Sequence, residues 1–325
     1  MNAPFNFSDI AQDTIDLNEL ALQLFQFQAN ENQVYKKFIE ALNIDINEIK
    51  SITDIPFMPV EFFKSQRVTC SNEFEIIFTS SSTTGNTPSS HYVKDLSIYE
   101  ASFLEAFRLF YGNPTDYCIL ALLPGYLERE GSSLVYMADK LIQLSNNKDS
   151  GFYLHNHEEL ATIIKKNEAK KIKTILLGVT FGLLDFAEKF QFSLKNTIIM
   201  ETGGMKGRRK EMIRQEVHQI LTQSFGVDTI HSEYGMTELL SQAYSFGNGI
   251  YKTPPWMKVL PYDFYNPLHC MEYGKGGVNI IDLANVYSCA FIQTSDIGNI
   301  NQDGSFEILG RFDESEIRGC NLMVM

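Results

Sequence analysis

Apolar positions in this chain change their period several times, and the changes outline its architecture. From about residue 16 to 43, Leu20, Leu22, Leu24 and Phe25 precede a polar break at Asn30-Glu31-Asn32, which predicts helices. Pro56 and Pro59 then mark an extended passage into Val60-Glu61-Phe62-Phe63-Lys64. Phe74-Glu75-Ile76-Ile77-Phe78 reads as a strand that runs into a loop rich in Ser, Thr and Gly. Helix and strand signals alternate after that. Leu96 to Tyr111 has helical spacing, and Tyr117 to Leu123 is a buried-strand run ending at Pro124-Gly125. Ser132-Ser133 predicts the cap of a helix through Leu144. Thr174 to Leu177 is the next strand, with a turn at Gly178 and a helix from about Phe181. Asn196 to Met200 is another strand, ending at Thr202-Gly203-Gly204. A helix over Glu211 to Phe225 and a short strand over Asp228 to His231 follow.

Strands alternating with helices predict an α/β fold with a mostly parallel sheet flanked by helices. Beyond about Tyr273 the pattern becomes short strands separated by turns: Val278 to Leu283, Ala290 to Thr294 and Phe306 to Ile308. That predicts a small antiparallel β subdomain at the C-terminal end. The expected division is an N-terminal helical segment (1–55) packed on the main domain, an α/β core (56–271), and a β subdomain with tail (272–325).

Composition narrows the function. A formal net charge of −13 over 325 residues disfavours a nucleic-acid platform, although a local site can still oppose the global charge. The first residues lack the basic start and apolar run of a secretory leader. No apolar run approaches the roughly 18 residues of a membrane span. Five cysteines, at 70, 118, 270, 289 and 320, form no Cys-x-x-Cys pair, so reduced thiols and a cytoplasmic setting are expected. Cys118 and Cys289 lie in apolar strands and read as core.

Three stretches carry candidate chemistry. Ser80-Ser81-Ser82-Thr83-Thr84-Gly85 follows a strand, and its hydroxyls and amides can wrap phosphate oxygens. It also reads as a solvated turn. His231-Ser232-Glu233-Tyr234-Gly235-Met236-Thr237-Glu238 offers an aromatic to stack on a base, a hydroxyl for phosphate and a carboxylate for Mg²⁺. Thr237-Glu238 equally fits a helix start. Thr294-Ser295-Asp296-Ile297-Gly298 and Gly310-Arg311-Phe312-Asp313 offer a carboxylate for ribose hydroxyls and an arginine for ribose or phosphate. Each piece alone also fits a β-turn with a surface ion pair.

Other motifs fall short. There is no Gly-x-Ser-x-Gly elbow, and Gly203-Gly204-Met205-Lys206-Gly207 lacks P-loop spacing. Gly274-Lys275-Gly276-Gly277 reads as a turn. His155 and His157 fit capping or surface roles better than metal binding.

Taken in order, the three stretches resemble the adenylate-forming superfamily of acyl-CoA synthetases, luciferases and peptide-synthetase adenylation domains. The chain resembles more closely the acyl-protein synthetases of the LuxE type, from the bacterial luminescence fatty-acid reductase complex. Pro56-Phe57-Met58-Pro59 with Phe63-Lys64, Leu123 to Arg129 with Ser132-Ser133-Leu134, Leu177 to Phe181, and Arg318-Gly319-Cys320 carry that likeness.

The resemblance implies the fold of the adenylate-forming ligase large domain, without the superfamily's mobile second domain. It implies ATP-dependent activation of a carboxylic acid, in this family a fatty acid, as acyl-AMP. Ser80, Ser81, Thr83, Thr84 and Gly85 would hold ATP phosphates, and Gly203-Gly204 would line the adenine pocket. Tyr234, followed by Gly235, would stack on adenine. Thr237 would contact the α-phosphate, Glu238 the Mg²⁺, and Asp296 with Arg311 the ribose. Cys320 would take the acyl group as a thioester and pass it to a partner protein, a reductase or acyltransferase.

The superfamily's phosphate loop usually has glycine where this chain has Ser82. If that position needs positive φ, the side chain costs about 1 kcal/mol or more. Two alternatives therefore stand beside the main reading. One is an acyl-CoA or acyl-carrier ligase without self-acylation. The other is a catalytically impaired nucleotide-binding homologue.

Overall fold

The computed structural model describes residues 3–11, 15–80, 87–124, 131–203 and 212–312. In chain order the elements begin with helices α1 (Phe7–Ile10), α2 (Leu17–Glu31) and α3 (Gln33–Ala41), strand β1 (Met58–Pro59) and helix α4 (Phe62–Ser65). Strands β2 (Ile76–Thr79) and β3 (Ser90–Val93) precede α5 (Leu96–Tyr111), β4 (Cys118–Leu122), α6 (Ser133–Ser145), β5 (Gly151–Phe152) and α7 (His157–Ala169). Next come β6 (Thr174–Val179), α8 (Thr180–Lys189), β7 (Thr197–Thr202), α9 (Arg214–Phe225), β8 (His231–Tyr234), β9 (Ala243–Ser245) and β10 (Ile250–Lys252). The chain closes on β11 (Met257–Tyr262), β12 (Gly274–Asp282), β13 (Phe291–Ile300) and β14 (Phe306–Arg311). These elements group into two compact units: Met1–Glu75, His91–Asp95 and Lys252–Met325 in the first, Ile76–Ser90 and Leu96–Tyr251 in the second.

The second unit is the alternating α/β part. Its strands lie in the order β10-β9-β8-β7-β6-β4-β5. β8, β7, β6, β4 and β5 run parallel, and β9 runs antiparallel to β8. β4 and β6 are buried at every position, as a strand covered on both faces must be. Leu160, Ile164, Leu183, Phe186, Leu221 and Phe225 of α7, α8 and α9 pack against Leu120, Leu122, Leu176 and Ile199.

Local sequence explains the helix ends. The Ser132 hydroxyl accepts from the Val135 amide and caps α6, as the Ser-Ser pair predicts. α9 stops at Gly226, whose φ of 62° is left-handed and where a Cβ would lie 2.6 Å from the Phe192 carbonyl oxygen. Gly178, expected as a turn, instead lies inside β6. A Cβ there would sit 2.8 Å from Leu183 Cγ and 3.0 Å from Leu122 Cβ, so this glycine lets α8 close on the sheet.

The first unit holds the antiparallel strands in the order β11-β12-β13-β14, with β1 parallel against the first half of β13. The antiparallel pattern begins at Met257, earlier than the sequence pattern indicated. Gly274 to Gly277, expected as a turn, starts β12. Gly277 pairs with Tyr262, whose ring occupies the space of a Cβ there, only 2.0 Å away.

Three polar side chains join the N-terminal helices to this sheet. The buried Gln28 side chain donates to the Asn285 and Val286 carbonyls and accepts from the Ala290 amide. Asn32 ends α2, caps α3 by accepting from Val34 and Tyr35, and donates to the Ser288 carbonyl. The Tyr35 hydroxyl donates to the Pro56 carbonyl at 2.6 Å, while its ring packs with Phe25 and Phe291.

Cys70, Cys118, Cys270 and Cys289 are free thiols and all are buried. Burial pushes Cys70 and Cys289 up to about 12, Cys270 to about 11, and Cys118 upward as well. No helix among the described residues is long and apolar enough to cross a membrane.

Candidate functional site

In the second unit the chemistry gathers at the carboxyl ends of parallel strands, where open α/β sheets bind ligands. Ser80 follows β2. Its amide donates to the Ser89 carbonyl at 3.1 Å and its hydroxyl accepts from the Ser89 amide at 2.9 Å. This pair closes the base of the hydroxyl-rich loop. Ser81, Thr83, Thr84 and Gly85 of that loop, with Ser82, lie outside the described residues. The Thr79 amide donates to the Gly131 carbonyl at 2.7 Å, which ties the foot of the same loop to the end of the 125–130 stretch.

Gly203 follows β7 with a φ of 67°, a backbone state that favours glycine. Its carbonyl accepts from the Thr180 hydroxyl at 2.8 Å. Gly204 is outside the described residues.

The segment His231 to Tyr234 is itself β8, so the motif begins within the strand rather than after it. Gly235 is exposed, Tyr234 and Thr237 are half-buried, and Glu238 is buried. Thr237-Glu238 forms a turn and not a helix start, with the Leu239 amide donating to the Met236 carbonyl. The Tyr234 ring lies edge-on to Tyr251 at 5.8 Å.

Paired registers sort the surrounding polar residues onto two faces of the sheet. Glu201 aligns with Ser232, and Thr202 with Glu233. On the first face, the buried Glu201 Oε1 lies 2.9 Å from His218 Nε2, 3.1 Å from the Ser232 hydroxyl and 3.5 Å from Arg214 Nε. Its Oε2 lies 3.3 Å from the Thr180 hydroxyl, the group that also holds Gly203.

On the opposite face, Glu233 accepts a hydrogen bond from Thr202. Burial raises Glu233 from the ordinary 4.5 to about 7, and the Thr202 bond opposes that rise in part. Gly235 belongs to the same arrangement, because a Cβ there would lie 2.5 Å from Glu233 Oε1.

Sequence reading assigned no role to Glu201, Glu233, Thr180, His218 or Arg214. A signal was present for Glu201, which follows the apolar run Ile198-Ile199-Met200, a costly place for a charge unless partners surround it.

In the first unit, Asp296 and Arg311 are brought together as directly opposed residues of β13 and β14. Arg311 Nε donates to Asp296 Oδ1 at 3.1 Å. Asp296 is buried within the strand, not at a strand end, whereas the Arg311 side chain is 65% exposed. One residue before Asp296, the Ser295 hydroxyl donates to Glu61 at 2.9 Å. Asp313 and Cys320 lie outside the described residues.

Among the described residues no group of three or more His, Cys, Asp or Glu is placed to hold a metal ion. A single buried carboxylate such as Glu238 fits Mg²⁺, which is commonly held by one or two carboxylates plus substrate phosphates.

Comparisons with known proteins bear on this arrangement. Residues 1–103 match the family model described as acyl-protein synthetase, LuxE, the family that the sequence resembles. No curated protein sequence matches the chain. Among solved structures, ATP-bound MatB from Rhodopseudomonas palustris superposes with a TM-score of 0.55 at 15% identity, over 72% of this chain and 47% of that one. An ATP-bound RpMatB-BxBclM chimera, B1, gives 0.56 at 13% identity, over 90% and 61%. Apo MatB from the same Rhodopseudomonas gives 0.50 at 14% identity, over 73% and 48%. The fold is therefore the one these MatB structures share, in keeping with the expected ligase large-domain fold. The chain spans about half the length of the MatB structures it matches.

Proposed function

We propose that this protein activates a carboxylic acid, in the first instance a fatty acid, by joining it to AMP and then moves the acyl group to its own Cys320. The observation that carries this reading is the position of Tyr234 to Glu238. They leave the carboxyl end of β8 beside Thr202-Gly203 at the end of β7, in a fold shared with ATP-bound MatB. The LuxE match over residues 1–103 supports the self-acylating version.

The chemistry follows from the residue types. Carboxylate oxygen is a poor leaving group, so the acid must first be activated. A substrate carboxylate oxygen attacks the α-phosphorus of ATP, the bond from that phosphorus to the bridging oxygen breaks, and pyrophosphate leaves. Ser80, Ser81, Thr83, Thr84 and Gly85 hold the phosphates through hydroxyls and amides. Tyr234 stacks on adenine, with Gly203, Gly204 and Gly235 giving the base close access to backbone. Thr237 donates to the α-phosphate. Glu238 holds Mg²⁺, which when bound offsets charge on the pyrophosphate.

Asp296 accepts from the ribose hydroxyls, and its pairing with Arg311 leaves that guanidinium in place to donate to ribose or phosphate. The Cys320 thiolate then attacks the acyl carbonyl carbon. The carbon–oxygen bond to AMP breaks, AMP leaves with the electron pair, and a thioester remains. A second protein, a reductase or an acyltransferase, takes the acyl group from the thioester.

Intact-mass analysis after incubation with ATP, Mg²⁺ and a panel of labelled acids tests this directly. The expected result is one acyl adduct that maps to Cys320. Cys320→Ala should abolish the adduct and keep ATP–pyrophosphate exchange. An adduct-free wild type that transfers acyl groups to CoA would refute the self-acylation step.

A further inference from the structure

Thr202 and Glu233 lie side by side at the ends of two parallel strands, immediately ahead of two segments assigned above to the nucleotide. The Glu233 carboxyl takes the Thr202 hydroxyl on Oε2 and places Oε1 where a Cβ of Gly235 would stand. It thereby touches both the residue before Gly203 and the glycine after Tyr234. We propose that Glu233 is a positioning residue for nucleotide binding and works in its protonated form, holding the Thr202-Gly203 and Tyr234-Gly235 segments at their working separation. This inference rests on the nucleotide reading given above.

The reasoning is one of charge and space. Glu233 is buried, and among the described residues its one hydrogen bond comes from Thr202. An ionised carboxylate needs several donors, and one hydroxyl is too few. A neutral carboxyl has no charge to solvate, and once protonated it can turn the Thr202 contact around and donate its own O–H to that hydroxyl oxygen. Ionisation would draw water or a new donor toward Oε1, against Gly235, and so displace the turn that presents Tyr234.

The groups that face Glu233 do not compete for this role. From α5 come Tyr99 and Tyr111, and from β9 its cross-strand partner Tyr244. Burial above all, with the nearby carboxyl adding to it, raises all three far above their ordinary value. These three stay neutral through the physiological range, while Tyr251 lies under Arg214 with the groups of the other face. His231, two residues earlier on β8, hydrogen-bonds the Tyr111 hydroxyl at 3.2 Å, and burial moves it below 6.5. Glu201, His218 and Arg214 form their cluster on the other face of the sheet. Glu233 is thus the carboxyl facing this spot, and burial raises it to about 7.

A bound polyphosphate adds negative charge nearby and favours the neutral carboxyl further. ATP binding and proton uptake are then linked.

Calorimetry of MgATP binding between pH 6 and 8.5, in two buffers of different protonation enthalpy, tests this with wild type, Glu233→Gln and Glu233→Ala. Wild type should take up a proton on binding near pH 7.5, and its affinity should fall on the order of 10-fold or more across the range as the competent fraction shrinks. Glu233→Gln, a neutral carboxamide of the same shape, should bind as wild type does at pH 6 and stay level to pH 8.5. Its trace also subtracts the protonation of the nucleotide itself. Glu233→Ala should bind weakly at every pH. Wild-type binding that is level with pH and free of proton uptake overturns the inference and leaves the nucleotide reading intact. The same holds if Glu233→Gln keeps the wild-type pH dependence. Absence of MgATP binding by wild type at any pH overturns both.

Discussion

Replacing Glu233 with glutamine should make folding stability less sensitive to pH, by an amount that follows from its burial. In the unfolded chain the carboxyl ionises near 4.5, and in the folded chain near 7. Between those values the folded state holds a proton that the unfolded state has released. Stability therefore falls as pH rises through this window, and the full effect is present above pH 7. The rise from 4.5 to about 7 corresponds to about 3 kcal/mol, and with Glu233 only 6% exposed little of that is lost to solvent screening. Glutamine keeps the oxygen that accepts from Thr202 and carries no charge at any pH. Urea unfolding of both proteins at pH 5 and pH 8 measures the effect. The advantage of Glu233→Gln over wild type should grow by about 2.5 kcal/mol from the lower pH to the higher one, part of the effect being present already at pH 5. Taking the difference between proteins cancels every other titrating group. An advantage that is the same at both pH values, within about 1 kcal/mol, would show that Glu233 ionises in the fold as it does in water and would refute the reasoning.

Two further predictions address other parts of the molecule. Gly178→Ala puts a methyl 2.8 Å from Leu183 Cγ and should destabilise the protein by about 1–3 kcal/mol in urea unfolding, while a smaller residue than leucine at 183 should restore part of that loss. Asp296→Ala removes an ion pair whose arginine is 65% exposed, so stability should change by less than about 1 kcal/mol. If Asp296 holds the ribose, ATP–pyrophosphate exchange in that variant should nevertheless drop by more than about 10-fold.

Most of the fold was legible because burial on both faces writes itself as unbroken apolar runs. Cys118 to Leu122 and Thr174 to Val179 are of that kind, and the Ser132 cap could be read from its own chemistry. The errors share a cause. Gly178 and the glycines of Gly274 to Gly277 read as turns because glycine is the usual turn residue. Here Gly178 and Gly277 lie in strands and clear space for a side chain from elsewhere, Leu183 in one case and the Tyr262 ring in the other. No local pattern contains that information. The candidate site was half legible for the same reason. Tyr234 to Glu238 and the Asp296/Arg311 pair announce themselves by type and order. Glu233 gains meaning only from the register that sets Thr202 beside it, as the same register sets Ser232 beside Glu201.

The four buried thiols make the native chain simple to interrogate. Cys70, Cys118, Cys270 and Cys289 are shielded from reagents and held as unreactive S–H groups near neutrality. An alkylating probe applied to the native protein at neutral pH should pass over these four sulfurs. Whatever sulfur it modifies is to be sought first at position 320, and denaturant would open all five to labelling.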